Sequence, residues 1–146
     1  MKSFYFRLDR ILRLREGAER SQARRYGEAA RVEADLERQC REQTDYLAGI
    51  GERKTPAVGQ LTNAGVLRAL QLTSDAAASQ LDDAERARVD AEKQAETERT
   101  ELTKARVERK SLERLKEQHQ SDWRAAANRH EQKEMDEVAA RTRGRR

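Results

Sequence analysis

The chain has 146 residues, 40% of them charged and only 4% aromatic, with a formal net charge of +4. So little apolar material excludes a globular core of ordinary size and leaves two classes, a coiled coil or a disordered chain. No run of about 18 apolar residues exists, which excludes a membrane-spanning helix, and the single Cys40 excludes an intramolecular disulfide and fits a reducing cytosol.

The opening run MKSFYFRLDRILRLRE lacks the uncharged apolar core of a secretory signal. It is amphipathic and rich in arginine, so a transit peptide or a membrane-surface helix competes with a coiled-coil helix. Residues 1–25 carry eight basic and three acidic side chains. The tail carries Arg141, Arg143, Arg145 and Arg146 with no acid, which leaves 26–140 at −5. Both ends of the chain are therefore basic.

Helix one is expected over about 3–48, with Ser3 as N-cap. A heptad walk gives the seam Phe4, Leu8, Ile11, Arg15, Ala18, Gln22, Arg25, Ala29, Val32, Leu36, Gln39, Gln43, Tyr46 and Ile50. Nine of these fourteen are apolar and the spacing alternates four and three, which disorder would not produce. The seam is poor from Arg15 to Arg25, beside Gly17 and Gly27, and a bend, a frayed stretch or a shifted seam is expected there.

The turn is expected over about 49–63. The stretch Gly49 to Gly65 holds four of the seven glycines and the only proline, Pro56. Helix two is expected over about 64–141, capped by Thr62 or Asn63 and followed by a basic tail, 142–146. Its seam reads Leu67, Leu70, Ser74, Ala77, Leu81, Ala84, Arg88, Ala91, Ala95, Glu98, Leu102, Ala105, Arg109 and Leu112. The predicted fold is all-α: one long antiparallel two-helix coiled-coil hairpin with unequal arms, the C-terminal helix the longer. A turn centred near residue 57 pairs residue i with about 114 minus i, so Phe4 meets the region of Lys110. The last thirty residues then run past helix one. They hold Trp123, Met135 and Val138, a docking end with Trp123 as its anchor.

No catalytic set is visible: no phosphate loop, no dinucleotide fingerprint, no Cys–His metal spacing. His130 and Glu134 stand at i, i+4, a sparse ligand pair outweighed by the reading as a solvated helix face. The basic ends would suit phosphates, but Asp9, Glu16 and Glu19 interrupt the N-terminal cluster and no zipper follows it, so nucleic acid is not expected as a partner. The expectation is a protein that is not an enzyme and uses no cofactor or metal.

The run Lys110-Ser-Leu-Glu-Arg-Leu-Lys-Glu, with Glu131-Gln-Lys-Glu-Met-Asp-Glu-Val-Ala139 after it, resembles the FliJ family of the bacterial flagellar type III export apparatus. So does the opening Phe6-Arg-Leu-Asp-Arg-Ile-Leu-Arg-Leu-Arg-Glu16. The stalk proteins of virulence-type III secretion systems share the fold and are the nearest alternative. The resemblance implies a two-helix stalk that inserts into the hexameric ring of the export ATPase, links it to the cytosolic domain of the export gate, and escorts export chaperones. The process served would be flagellar biosynthesis, and with it motility and chemotaxis. On this reading Arg7, Leu8, Arg10, Leu14, Gln132, Lys133, Met135, Asp136 and Glu137 face the ring, joined by Arg13, Trp123 and Arg141. Gln39, Gln43 and Tyr46 face the gate. The location implied is cytoplasmic, peripheral at the inner face of the cell membrane through the export apparatus. A basic coiled-coil adaptor for membrane surface or nucleic acid, and a self-associating coiled coil, are the competing readings.

Overall fold

A computed structural model describes residues 3–59 and 64–143, with the side chains of 3–54 and 64–141. The chain is all-α, without strands among the described residues. Helix α1 spans Asp9–Gly59 and the longer α2 spans Ala64–Arg143. The chain divides into two compact units to which both helices contribute: a terminal unit, residues 1–20 with 103–146, and a central unit, residues 21–102. Within each unit the helices pack antiparallel, so the predicted fold class is the one observed. The expected cap at Thr62 or Asn63 and the last three residues of the basic tail lie outside the described residues.

The α2 seam follows the predicted heptads. All fourteen positions from Leu67 to Leu112 are buried or half-buried, with Ala77, Ala84, Ala95 and Leu102 the most enclosed. Alanine at these positions lets the partner helix approach closely but removes little area from water.

Helix one differs from expectation in three ways. Its seam is half right: Leu8, Gln22, Ala29, Leu36, Gln43 and Ile50 lie on the packed face, but the alternate row sits one residue further along. Leu12, Tyr26, Cys40 and Leu47 replace Ile11, Arg25, Gln39 and Tyr46, which are exposed. The shift exchanges Arg25 and Gln39 for Tyr26 and the buried thiol of Cys40, but also Ala18 and Val32 for Glu19 and Glu33, of which Glu19 is paired with Arg106 and Arg109.

The ends of α1 also move. It starts at Asp9, not Ser3, and runs to Gly59, not residue 48. No glycine among the described residues has positive φ, so Gly49 and Gly51 are ordinary helical residues rather than turn formers. Between them Ile50 is the most completely buried large side chain, at 2% exposure. Burying it contributes about 1.5–3 kcal/mol, which offsets two mid-helix glycines at about 1 kcal/mol each. Beyond it, Lys54 Nζ donates to Gln71 Oε1 at 2.9 Å, within the central unit.

The longer α1 resets the pairing. In the terminal unit Asp9 pairs with Lys116 at 2.7 Å, Phe6 meets His119 and Phe4 meets Trp123. These pairs sum to about 125, not 114. Phe4 therefore lies near Trp123 and not Lys110, and Trp123 is half-buried rather than part of an uncovered end. The stretch exposed at every position is 128–141.

Helix α1 is unbroken through Gly17 and Gly27. A Cβ at either would meet nothing within 4 Å. Gly17→Ala and Gly27→Ala are each expected to raise stability by about 1 kcal/mol, measured as a higher urea midpoint at unchanged m-value.

Candidate functional site

The terminal unit begins with a short non-helical segment, residues 3–8. Phe4 is half-buried, Tyr5 is 80% exposed and Phe6 is 4% exposed, the alternation of an extended chain. In a helix the two phenylalanines would sit about 200° apart and could not both face α2. Extended, they advance about 6.6 Å, close to the 6 Å between residues one turn apart on α2. Phe4 thus packs on Trp123 with ring centroids 6.2 Å apart, and Phe6 meets the edge of His119 at 5.8 Å. Lys116 Nζ lies 6.0 Å from the centre of the Phe6 ring.

The segment ends where α1 starts. Asp9 N–H donates to the carbonyl of Phe6 at 3.1 Å, and an acid in the first turn complements the helix dipole. The Asp9 carboxylate accepts from Lys116 Nζ at 2.7 Å and from the Arg13 guanidinium at 3.0 and 2.7 Å. The Lys116 hydrogen bond first, and that of Arg13 second, hold the Asp9 carboxyl below its ordinary range. A depressed folded pKa gives stability that is present above the unfolded pKa and lost as pH falls through the folded one. Trp123, the only tryptophan, should therefore become more quenchable as pH drops below about 4. Asp9→Asn should show the higher quenching already at neutral pH, without that acid step.

Further along the same unit a polar seam replaces the apolar one. Arg15 pairs with Glu108 at 2.7 Å, and Glu19 accepts from Arg109 and lies 3.5 Å from Arg106. Arg109 also pairs with Glu113. Glu19 and Arg109 are largely screened from solvent, so removing one partner strands a charge.

The residues expected to face a ring all fall in the terminal unit. Arg7, Arg10 and Leu14 are exposed at the start of the chain, Leu8 is half-buried, and the exposed Arg13 is tied to Asp9. Gln132, Lys133, Met135, Asp136, Glu137 and Arg141 lie in the exposed stretch 128–141. There Met135 is 72% and Val138 61% exposed, large apolar side chains held in water on a helix. His130 faces Glu134 at 3.5 Å, and no group of three metal-ligating side chains occurs among the described residues.

The gate-facing set lies in the central unit. Gln39 and Gln43 line a shallow groove with Leu36 of α1 and with Gln80, Asp83 and Ala87 of α2. Gln43 Oε1 is buried without a hydrogen-bond partner. Tyr46, one turn beyond Gln43, is exposed because the seam runs through Leu47.

Sequence reasoning missed Phe6, Asp9, Lys116 and His119 as a cluster, and the α2 side of the groove. The signal for the first is the Phe-Tyr-Phe alternation, whose period is two and not three and a half. The second needs only the pairing register.

The family model described as "Flagellar FliJ protein" matches residues 4–146. The chain belongs to the FliJ family. The match covers essentially the whole chain, so both units fall inside it. FliJ is a non-catalytic component of flagellar export, and membership gives this chain a role connected with that process. No curated protein and no solved structure matches it. No helix among the described residues is long and apolar enough to cross a membrane.

Proposed function

We propose that the chain is a non-enzymatic coupling stalk of the flagellar type III export apparatus. Its terminal unit docks in the hexameric ring of the export ATPase. Its central unit presents Gln39, Gln43 and Tyr46 to the cytosolic domain of the export gate, and export chaperones bind it in transit. It works in the cytoplasm, held at the membrane through the apparatus.

The observation that carries this reading is the exposed helical stretch 128–141, which keeps Met135 and Val138 in water beside Lys133, Asp136 and Glu137. A helix with exposed apolar side chains among mixed charges suits a partner that supplies both apolar and polar contacts. The exposed Arg7 and Arg10 in the same unit add a basic edge, which favours an acidic pore and fast encounter. For the gate face, the support is the groove lined by Gln39, Gln43 and Gln80, and the buried Gln43 Oε1 that has no hydrogen-bond partner. A donor from a partner would gain most there, because the desolvation cost is already borne.

The test is to mix the chain with the export ATPase and follow ring formation by sedimentation and ATP turnover by phosphate release. Both should rise in the presence of the chain. Binding to DNA or anionic vesicles that survives physiological salt, without any effect on the ATPase, would favour the adaptor reading instead.

A further inference from the structure

We infer that the α2 surface formed by Lys116, His119 and Trp123 is a docking site for a partner segment of the pattern aromatic-x-aromatic-x-x-acid, extended through its two aromatics and turning at the acid, and that the chain's own residues 4–9 occupy it as an exchangeable strap. The chain's own segment shows what the surface recognises. Phe4 takes Trp123, Phe6 takes His119 and the Lys116 cation, and Asp9 takes the Lys116 ammonium. Two of the contacts, Phe4 on Trp123 and Phe6 on His119, read an extended stretch, because two residues of extended chain match one turn of helix. The third, Asp9 on Lys116, follows the turn closed by Asp9 N–H on the Phe6 carbonyl and belongs to the first turn of α1.

The attachment rests on side chains, with Phe6 the one buried deeply. Among the described residues no backbone hydrogen bond ties 3–8 to α2: the carbonyl of Phe6 accepts from Asp9 and that of Leu8 from Leu12, both within the N-terminal stretch itself. Tyr5, between the two docked rings, is 80% exposed and contributes nothing to holding the segment down. What holds it is side chains: the burial of Phe6 and in part of Leu8, two ring contacts, a cation over a ring and one ion pair. A partner segment offering the same three groups meets the same surface, and it competes with a tethered copy of itself. The apparent affinity of the site for such a partner is therefore reduced by the fraction of time the strap is closed.

The probe is a labelled peptide with the sequence of residues 3–10, SFYFRLDR, followed by fluorescence anisotropy against the full-length chain. Phe4→Ala with Phe6→Ala frees the surface without altering it, and that variant should bind the peptide at least about tenfold more tightly than the unaltered chain. Peptide binding should restore the quenching protection of Trp123, and a peptide with both phenylalanines replaced by alanine should not bind. Since the double variant removes a buried ring, Asp9→Asn serves as a second opening that keeps the apolar contacts; it too should bind the peptide more tightly than the unaltered chain. Helical content by circular dichroism identifies which variants remain folded. If the helical variants bind the peptide no better than the unaltered chain, or bind the alanine peptide equally well, the strap is fixed structure and the inference is wrong.

Discussion

Ending the chain after Arg129, or placing aspartate at Met135 and Val138, abolishes stimulation of the export ATPase while leaving the melting transition of the helix pair nearly unchanged. The two halves of that expectation have separate causes. Every residue from 128 to 141 is exposed, so removing them uncovers little of the packed seam. Surface changes of this kind usually alter stability by no more than about 0.5 kcal/mol. Binding is another matter. Large apolar side chains that become enclosed in a partner act as hot spots worth about 2 kcal/mol or more each, roughly thirtyfold in affinity, and an aspartate in their place adds an unpaired charge. Arg10→Glu tests the other part of the same unit. Arg10 is exposed and makes no ion pair among the described residues, so its reversal disturbs the pore contact without touching the fold. Arg13→Glu is less clean, because Arg13 is bonded to Asp9 and its reversal would also loosen the N-terminal segment. If the shortened chain and Arg10→Glu both stimulate the ATPase as the unaltered chain does, the terminal unit is not the docking end.

The second large effect is on stability. Ile50→Ala costs about 2–5 kcal/mol, the usual range for truncating a fully enclosed aliphatic side chain. Only eight apolar side chains are buried among the described residues, and four of them are alanine or cysteine. Losing the most enclosed one therefore removes a large share of a marginal total. The loss should be local in its first appearance. Helix α1 beyond Gly49 depends on Ile50 to offset its glycines, so hydrogen exchange should speed up over about 47–54 and over the facing part of α2 near Gln71 before the rest of the chain responds. Leu14→Ala, on an exposed face, is the matched control and should cost less than about 0.5 kcal/mol. Equal losses from the two substitutions would mean that the seam does not run through Ile50.

How far the fold can be read from the residues depends on how ambiguous each stretch is. In α2 leucine or alanine fills ten of the fourteen seam positions from Leu67 to Leu112, whereas the off-seam row of Ala69, Leu72 and Ala76 ends at Ser79 and Asp83, so one phase persists. In α1 two phases compete: Ile11 stands beside Leu12 and Tyr46 beside Leu47, so a walk begun at Phe4 carries the wrong alternate row to the end. The turn misleads for a different reason. Gly49, Gly51 and Pro56 are the usual signs of a break, yet the burial of Ile50 offsets the two glycines, and the backbone stays helical past them to Gly59. That extension moves the pairing by about eleven positions and brings Phe4 onto Trp123, which no local pattern could reveal. The N-terminus was open to a local reading, since Phe4 and Phe6 have the period of a strand, but the partners that make the extended form worthwhile are more than a hundred residues away. The expected ring-facing residues gather in one unit because antiparallel pairing sets 1–20 with 103–146; the half-buried state of Trp123 comes from the corrected register alone.

The pairing register is the claim from which the strap, the covered tryptophan and the bare stretch 128–141 all follow. It is tested most directly by nitroxide labels in a Cys40→Ala chain, at positions 7 and 118 in one sample and 7 and 107 in another. Residues 107 and 118 are both exposed on α2, about 16 Å apart along its axis. With Phe6 seated on His119, the 7/118 pair should show strong dipolar broadening that persists on dilution with unlabelled chain, and the 7/107 pair should show none. Broadening in 7/107 alone would mean that the helices pair around residue 57, and broadening that vanishes on dilution would mean that the partner helix belongs to another copy.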